Sequence, residues 1–199
     1  MLKVGLTGSI AVGKSYVLEI FRELGAFVLD ADLTAREVVA PETKGWQLII
    51  EQFGSNILLP NNEIDRARLG AVVFADEAKR QLLNSIVHPL VIEEQNNWLV
   101  EREAKNPHGI AVIDAALMIE SGSYRRFDKL IVVWCDDQIQ LQRLMTRNDL
   151  SKEEALKRIR AQMPQKEKKL YADFTIDTGK GFEDTRRQTI EVFEQLILL

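Results

Sequence analysis

Short apolar runs alternate with stretches of helical periodicity along much of this chain. Five runs have the length and the largely apolar character of buried strands, and they cover residues 2–7, 26–29, 110–114, 129–134 and 173–177. Between most of them, apolar residues recur every three or four positions, as is typical of amphipathic helices. Regular alternation of strands with helices favours a parallel sheet with right-handed crossovers. We therefore predict an α/β fold with a five-stranded parallel sheet.

The long segment 41–107 interrupts this alternation. It has little strand character and carries helical patterns at 44–53, 66–74, 76–85 and 89–105. We expect it to form a helical insertion between the second and third strands.

Two positions within the insertion carry signals for a helix start. Asp65 precedes Arg66 and is a good N-cap, because its carboxylate can accept hydrogen bonds from the first helical turn. Pro89 is expected at the first position of a helix, where its missing N–H would have no partner in any case. His88 is expected to cap or pack this helix, with a ligand contact as the alternative.

Composition and charge narrow the choice of partners. The 199 residues suffice for one domain, and the net charge of -4 offers no general attraction to nucleic acid or to an anionic membrane. Neither is expected as a partner, and no obligate protein partner is evident. The single cysteine, Cys135, is predicted to be buried at a strand end. Because no signal segment and no apolar run near 18 residues is present, we expect a cytoplasmic protein.

A phosphate-binding loop is the strongest chemical signal. The segment Gly8–Ser15 matches G-x-x-x-x-G-K-[ST] at every specified position. Glycines let the backbone curl so that several N–H groups converge on a phosphate, and the following helix adds its positive N-terminal end. Lys14 is expected to reach the β- and γ-phosphates, and the Ser15 hydroxyl is expected to bind Mg²⁺. A predicted strand precedes the loop and a predicted helix follows it, as the motif requires.

Carboxylates follow two predicted strands directly, at the sheet edge where α/β proteins bind ligands. We assign Asp30 mainly to capping the next helix, which is expected to start near Leu33. Asp32 is assigned a catalytic or metal-binding role, with a second cap as the alternative, and Arg36 lies one helical turn later. Asp114 ends the third strand in the Walker B position, where it either holds Mg²⁺, directly or through water, or has only a turn role.

Basic side chains beyond the fourth strand are further candidates for phosphate contacts. Arg143 and Arg147 are four residues apart on a predicted helix, and the pattern places them on its exposed face. They are either solvated surface or part of a mobile lid that neutralises charge on the transferring phosphate. Residues 151–154 form a capping box, and the charged stretch 165–169 is expected to be a solvated face.

The ordered set of motifs resembles the dephospho-coenzyme A kinase family over almost the whole chain. A phosphate loop alone is shared by many families, whereas the remaining motifs are far more particular. The motifs that carry the resemblance are Gly5–Gly8 running into Gly13–Ser15, Asp30–Asp32 with Arg36, Asp65–Arg66 with Leu69 and Phe74, His88–Pro89, Leu117–Gly122, Arg143 with Arg147, Gln162–Pro164, Ala172–Phe174 and Ile176–Asp177.

The resemblance implies a three-layer P-loop kinase fold in three parts. Residues 1–40, 108–138 and 171–199 would form the core, 41–107 a helical substrate-binding insertion, and 139–170 a helical lid. The implied reaction is phosphorylation of the ribose 3′-hydroxyl of dephospho-coenzyme A by ATP, which gives coenzyme A and ADP in the final step of coenzyme A synthesis. Mg²⁺ is the implied cofactor.

Residue roles follow by position from the same resemblance. Asp32 would be the general base for the 3′-hydroxyl, with Lys14 and Arg143 as the other catalytic residues. Ser15 and Asp114 would hold the metal, the latter directly or through water. ATP would be bound by Gly8, Ala11, Val12, Gly13, Lys14, Ser15, Tyr16 and Arg147, and the acceptor by Arg36, Arg66 and His88.

Several positions depart from the usual pattern of the family. Ala11 and Val12 lie outside the two required glycines of the loop, so phosphate binding is expected to survive, because only backbone N–H groups are needed there. The departures are Ser9, Ala11, Val12 and Tyr16 in the loop, Ala116 in place of a proline, and Thr178 in place of an asparagine.

Two alternative functions follow from the phosphate loop. One is a P-loop kinase for another small acceptor, such as a nucleoside monophosphate or a shikimate-like hydroxyl. The other is a GTPase-like switch. Against the switch, residues 177–180 lack the Asn-Lys-x-Asp guanine-binding pattern, and residues 114–117 lack Asp-x-x-Gly.

Overall fold

The computed structural model describes all residues from 1 to 199 and divides them into two compact units. The first unit comprises residues 1–30 and 102–199, and the second comprises residues 31–101. The strands are β1 Leu2–Thr7, β2 Phe27–Asp30, β3 Ile110–Asp114, β4 Lys129–Trp134 and β5 Phe174–Asp177. The helices are α1 Lys14–Glu23, α2 Ala31–Glu37, α3 Lys44–Phe53, α4 Arg66–Ala75, α5 Glu77–Lys105, α6 Asp137–Asn148, α7 Lys152–Arg160, α8 Gln165–Lys168 and α9 Phe182–Ile197.

The first unit contains a five-stranded sheet with the order β2-β3-β1-β4-β5, and every pairing in it is parallel. The predicted α/β fold with a five-stranded parallel sheet is therefore confirmed. β1 lies at the centre, where Leu6 is in register with Asp114 on one side and Ile131 on the other. Since all strands point the same way, the loops after their carboxyl ends emerge at one edge of the sheet.

Successive side chains of β4 lie on alternate faces of this sheet. Ile131 and Val133 join Phe21 of α1 in the larger core cluster, against which Phe193 of α9 packs. The intervening residues Leu130 and Val132 face a smaller cluster on the other side of the sheet. This period of two is the normal side-chain geometry of a strand, and a fully buried side chain such as Phe21 contributes about 1.5–3 kcal/mol.

The second unit is helical and has its own apolar cluster, centred on Ile49, Ile57 and Leu69. Asp65 caps α4 by accepting hydrogen bonds from the backbone N–H groups of Ala67 and Arg68, both at 3.0 Å, so its predicted N-cap role is confirmed. No helix of the chain has both the length and the apolar character that a membrane crossing requires.

The predicted helix start at Pro89 is wrong. Pro89 lies inside α5, which runs without a break from Glu77 to Lys105, and His88 is an exposed residue of that helix. An internal proline costs about 3 kcal/mol because it removes one backbone hydrogen bond and crowds the preceding turn. Burial on both sides of it outweighs this cost, since Val87 packs against the apolar cluster and Leu99 is almost fully buried.

Smaller differences concern element boundaries. β2 begins and ends one residue later than predicted, and β5 begins at Phe174. α2 starts at Ala31, directly after β2, whereas the pattern placed its start near Leu33. Asp32 therefore lies in the first turn of a helix rather than in a loop.

Candidate active site

The phosphate loop connects β1 to α1, and the local geometry requires glycine at two of its positions, Gly8 and Gly13. A Cβ atom on Gly8 would lie 2.3 Å from the carbonyl oxygen of Val133, so no side chain fits there. Gly13 has a φ of +91° and forms the N-cap of α1, a left-handed conformation that favours glycine. Ala11 also has a positive φ, +61°, which costs a residue with a side chain about 1–2 kcal/mol.

α1 has no acidic residue in its first turn, so no carboxylate of the turn itself opposes the positive end of the helix dipole that faces the loop. The Nζ atom of Lys14 lies 4.0 Å from Oδ1 of Asp114, and both side chains are mostly shielded from solvent. Ser15, the next residue, is exposed. The structure thus brings the predicted phosphate lysine next to the predicted Walker B carboxylate.

Thr178, the residue after β5, is hydrogen-bonded to both the phosphate loop and α6. Its hydroxyl donates a 2.6 Å hydrogen bond to the carbonyl oxygen of Val12 in the phosphate loop. Arg143 donates to Oγ1 of Thr178 at 2.9 Å and to its carbonyl oxygen at 2.8 Å. The predicted exposed position of Arg143 is therefore wrong: its guanidinium is anchored on the residue after β5, whereas Arg147 is exposed.

Two adjoining pockets lie beside the loop. One of about 450 Å³ is lined by both arginines of α6, and another of about 180 Å³ lies towards the start of α9. In the second pocket the rings of Tyr16 and Phe182 meet edge to face, with centroids 4.9 Å apart. The first pocket is lined by Ala11, Gly13, Gln142, Arg143, Thr146 and Arg147, and the second by Gly13, Tyr16, Arg143, Thr178, Gly181, Phe182 and Thr185.

The charged stretch 165–169 is a solvated face only in part, because Lys166 and Glu167 are exposed whereas Gln165 and Lys168 are buried. Lys168 is fully buried, and its Nζ atom donates to the carbonyl oxygen of Ala116 at 2.8 Å and lies 2.9 Å from Oε1 of Glu120. Burial lowers the pKa of Lys168, while the hydrogen bond to Glu120 and its charge oppose this shift. Glu120 also accepts a hydrogen bond from the backbone N–H of Met163. Lys168 thereby connects α8 to the loop after β3.

Sequence reasoning also missed three buried or half-buried glutamines. Gln140 and Gln165 are almost fully buried and bond to each other, and Gln162 bonds to the phosphate loop. Glutamine is normally a surface residue, so its burial cannot be inferred from polarity patterns. Gln162 alone had a sequence signal, because it belongs to one of the motifs that carry the family resemblance.

The second unit contains a pocket of its own, of about 410 Å³. Arg36 and Arg66, which the sequence assigns to the acceptor, both line it. His88 does not, although its neighbour Val87 does. The remaining lining residues are Ala35, Glu37, Val39, Ala40, Pro41, Ile49, Glu63, Ile64, Leu69 and Leu83.

Comparison with known proteins identifies the family. A model of the dephospho-CoA kinase family matches residues 2–184. A dephospho-CoA kinase of Geobacillus kaustophilus is 47% identical over 196 residues, which cover 98% of this chain and 96% of the relative. The structure of a dephospho-CoA kinase from Campylobacter jejuni is 29% identical, covers 98% of this chain and 96% of its own, and has a TM-score of 0.73.

A more distant protein, a shikimate kinase, has a similar fold. A shikimate kinase from Acinetobacter baumannii has a TM-score of 0.53 and is 18% identical, with coverage of 99% of this chain and 93% of its own. That likeness concerns the fold alone, whereas the family model and the relative from Geobacillus kaustophilus extend over nearly the whole sequence. The chain therefore belongs to the dephospho-CoA kinase family.

Proposed function

We propose that this chain transfers the γ-phosphoryl group of ATP to the ribose 3′-hydroxyl of dephospho-CoA, giving ADP and coenzyme A in the final step of coenzyme A synthesis. Family membership supports this reaction and both substrates. The observation that carries the proposal is the phosphate loop, with Lys14 beside Asp114, next to a pocket lined by two arginines. Transfer to a hydroxyl requires mainly alignment and charge stabilisation, and these residues supply both.

ATP binds, in this proposal, with its phosphates on the loop from Gly8 to Tyr16. The backbone N–H groups there and the N-terminal end of α1 attract the phosphate oxygens. Lys14 interacts with the β- and γ-phosphates. Arg143 and Arg147 line the pocket beside the loop, so their guanidinium groups neutralise charge that spreads over the γ-phosphoryl oxygens during transfer.

The residues of this site fit Mg²⁺ as the cofactor. Ser15 offers a hydroxyl at the start of α1, and Asp114 offers a carboxylate beside Lys14. Mg²⁺ prefers oxygen ligands and usually binds through one or two protein groups together with waters and substrate phosphates. When bound, the ion would neutralise charge on the phosphate oxygens.

Asp32 is proposed as the general base that accepts the proton of the 3′-hydroxyl. Its position supports this role, because it follows β2 by two residues and is an exposed carboxylate in the first turn of α2. A base in contact with the attacking hydroxyl raises the rate by roughly 10²–10⁴-fold.

The pocket of the second unit is proposed to hold the anionic acceptor. Two guanidinium groups, Arg36 and Arg66, share it with the carboxylates of Glu37 and Glu63 and with apolar side chains. The guanidinium groups can bind phosphates, and the apolar side chains can pack against an adenosine. His88 remains a candidate acceptor contact from the sequence, outside the residues that line this pocket.

We expect Arg36→Met and Arg66→Met each to raise the KM for dephospho-CoA about 10-fold while leaving the KM for ATP unchanged, because each removes one charge-assisted contact. Steady-state kinetics with either substrate varied would measure this. Arg68→Met is the matched control, because Arg68 lies on the same helix as Arg66 but pairs with Asp65 and does not line the pocket. Equal effects of all three variants on the acceptor KM would contradict the assignment.

An ADP-release assay tests the proposed function directly. With ATP and Mg²⁺, we expect turnover with dephospho-CoA and none with adenosine, AMP or shikimate. Turnover with one of those acceptors alone would replace dephospho-CoA by that acceptor class. Strong GTP selectivity without acceptor-dependent turnover would favour a nucleotide switch.

We further propose that the enzyme works in the cytoplasm, where ATP is available to it as co-substrate. Fractionation of cells that express the chain, with activity assayed in each fraction, tests this location. Activity confined to the membrane fraction would contradict it.

A further inference from the structure

We propose that Gln140 and Gln162 are positioning residues that clamp the phosphate loop from both sides of Ile10. The proposal rests on the proposed function in one respect, namely that this loop binds the phosphates of ATP. Neither glutamine is assigned a role by the loop motif, and both lie within the segment 139–170 that the sequence predicts to be a lid.

The backbone of Ile10 is engaged by both side chains. Its N–H donates to Oε1 of Gln162 at 2.7 Å, and its carbonyl oxygen accepts from Nε2 of Gln140 at 2.8 Å. A backbone N–H can only donate and a carbonyl oxygen can only accept, so the orientation of each side-chain amide is fixed by its partner. Gln162 must act as an acceptor and Gln140 as a donor.

Gln140 is itself held rigidly. It is 1% exposed, and its Oε1 accepts from Nε2 of Gln165 at 2.9 Å. Gln165 in turn donates to Oδ1 of Asp137 at 3.0 Å and accepts from the backbone N–H of Cys135 at 3.1 Å. The clamp is therefore linked by hydrogen bonds to Cys135, the residue after β4, and to Asp137, the first residue of α6.

Gln162 is held by the turn between α7 and α8. The next residue, Met163, donates its backbone N–H to Glu120, which is paired with the buried Lys168. Removing the Gln162 side-chain oxygen would leave this turn in place but would deprive the Ile10 N–H of its acceptor.

The residue after Ile10 explains why the loop needs such support. Ala11 adopts a left-handed conformation, with a φ of +61°, that disfavours any side chain. On the other side of Ala11, Thr178 holds the carbonyl oxygen of Val12. Hydrogen bonds on both neighbours keep Ala11 in this conformation, so that the loop is preorganised for phosphate before ATP arrives.

The test measures Mg–ADP affinity by calorimetry, which requires no acceptor. We expect Gln162→Leu to weaken binding about 10-fold, since it removes the acceptor of a backbone N–H. Gln162→Glu retains an acceptor oxygen and is expected to bind within about 3-fold of the unchanged chain. Gln140→Glu replaces a donor by an acceptor facing a carbonyl oxygen, and is expected to lose about 10-fold or more.

Gln162→Glu and Gln140→Glu both add one negative charge beside Ile10, so the difference between them reports on the hydrogen bonds. Gln138→Leu, an exposed position on α6 outside both loop pockets, is the control and should leave affinity unchanged. If Gln140→Glu fails to fold, the comparison of Gln162→Leu with Gln162→Glu alone decides the matter.

Two results would overturn the clamp. One is a Gln162→Leu variant that binds Mg–ADP as tightly as the unchanged chain, even if its melting temperature falls. The other is an equal loss of affinity in Gln162→Leu and Gln162→Glu. Absence of Mg–ADP binding by the unchanged chain would instead refute nucleotide binding by the loop, which separates failure of the clamp from failure of the proposed function.

Discussion

The Asp32→Asn variant is expected to bind ATP with unchanged affinity and to lose kcat by roughly 10²–10⁴-fold, the usual contribution of a general base. An amide has nearly the same shape as the carboxylate but cannot accept the proton of the 3′-hydroxyl at neutral pH. Because the transition state of phosphoryl transfer is loose, the loss should lie towards the smaller end if Asp32 mainly orients the hydroxyl.

Single-turnover kinetics, with ATP affinity measured separately by calorimetry, would check this expectation. Glu51→Gln is a suitable control, since it makes the same carboxylate-to-amide change at an exposed position of α3 in the second unit. Unchanged turnover in Asp32→Asn would remove this residue from the mechanism. Loss of ATP affinity without loss of turnover would assign it to the nucleotide instead.

The Lys14→Met variant is expected to lose kcat by roughly 10²–10³-fold, and to bind ATP more weakly as well. Lys14 is the charged donor proposed to interact with the β- and γ-phosphates, and removing one donor aimed at developing charge typically has an effect of this size. Methionine keeps most of the apolar stem. The loss should therefore reflect the ammonium group rather than packing.

Removal of this ammonium also deprives Asp114 of the cation 4.0 Å from its Oδ1 atom. A thermal melt would show whether the fold tolerates that change, and Mg²⁺ titration of the variant would test the proposed binding of the metal by Asp114. Lys3→Met, at the start of β1, is the matched control for losing a lysine charge. Nearly normal turnover by Lys14→Met would contradict the central role proposed for the phosphate loop.

The phosphate loop shows the difference between what a local sequence motif predicts and what contacts between distant segments add. Its motif predicts the turn, the following helix and the place of Lys14, because each of these depends on residues adjacent in the chain. The support of its irregular residue, Ala11, comes from Gln140, Gln162 and Thr178, which are remote in sequence. No local pattern indicates those bonds.

The corrected predictions have two physical causes. Polarity favours a surface position for Arg143 and for the stretch 165–169, because charged and polar residues usually lie there. Arg143 bonds to Thr178, and Lys168 bonds to Glu120 and Ala116. These partners come within reach only when β3, β4 and β5 are assembled in one sheet. Pro89 was treated as a helix start because local propensity disfavours it elsewhere, but burial along α5 outweighs that propensity.

The sequence by itself determined the α/β class, the five strands and the phosphate loop, because short-range periodicity and motif spacing specify each of them. Its ordered motifs also resemble one family, and comparison with known proteins confirmed that resemblance. Only the tertiary structure decided which polar side chains are buried and what they bond. It joined Arg36 and Arg66 in one pocket, anchored Arg143 on Thr178, and closed the glutamine clamp around Ile10. The physical reason is that a buried polar group must find its partner, and that partner is set by the packing of distant segments.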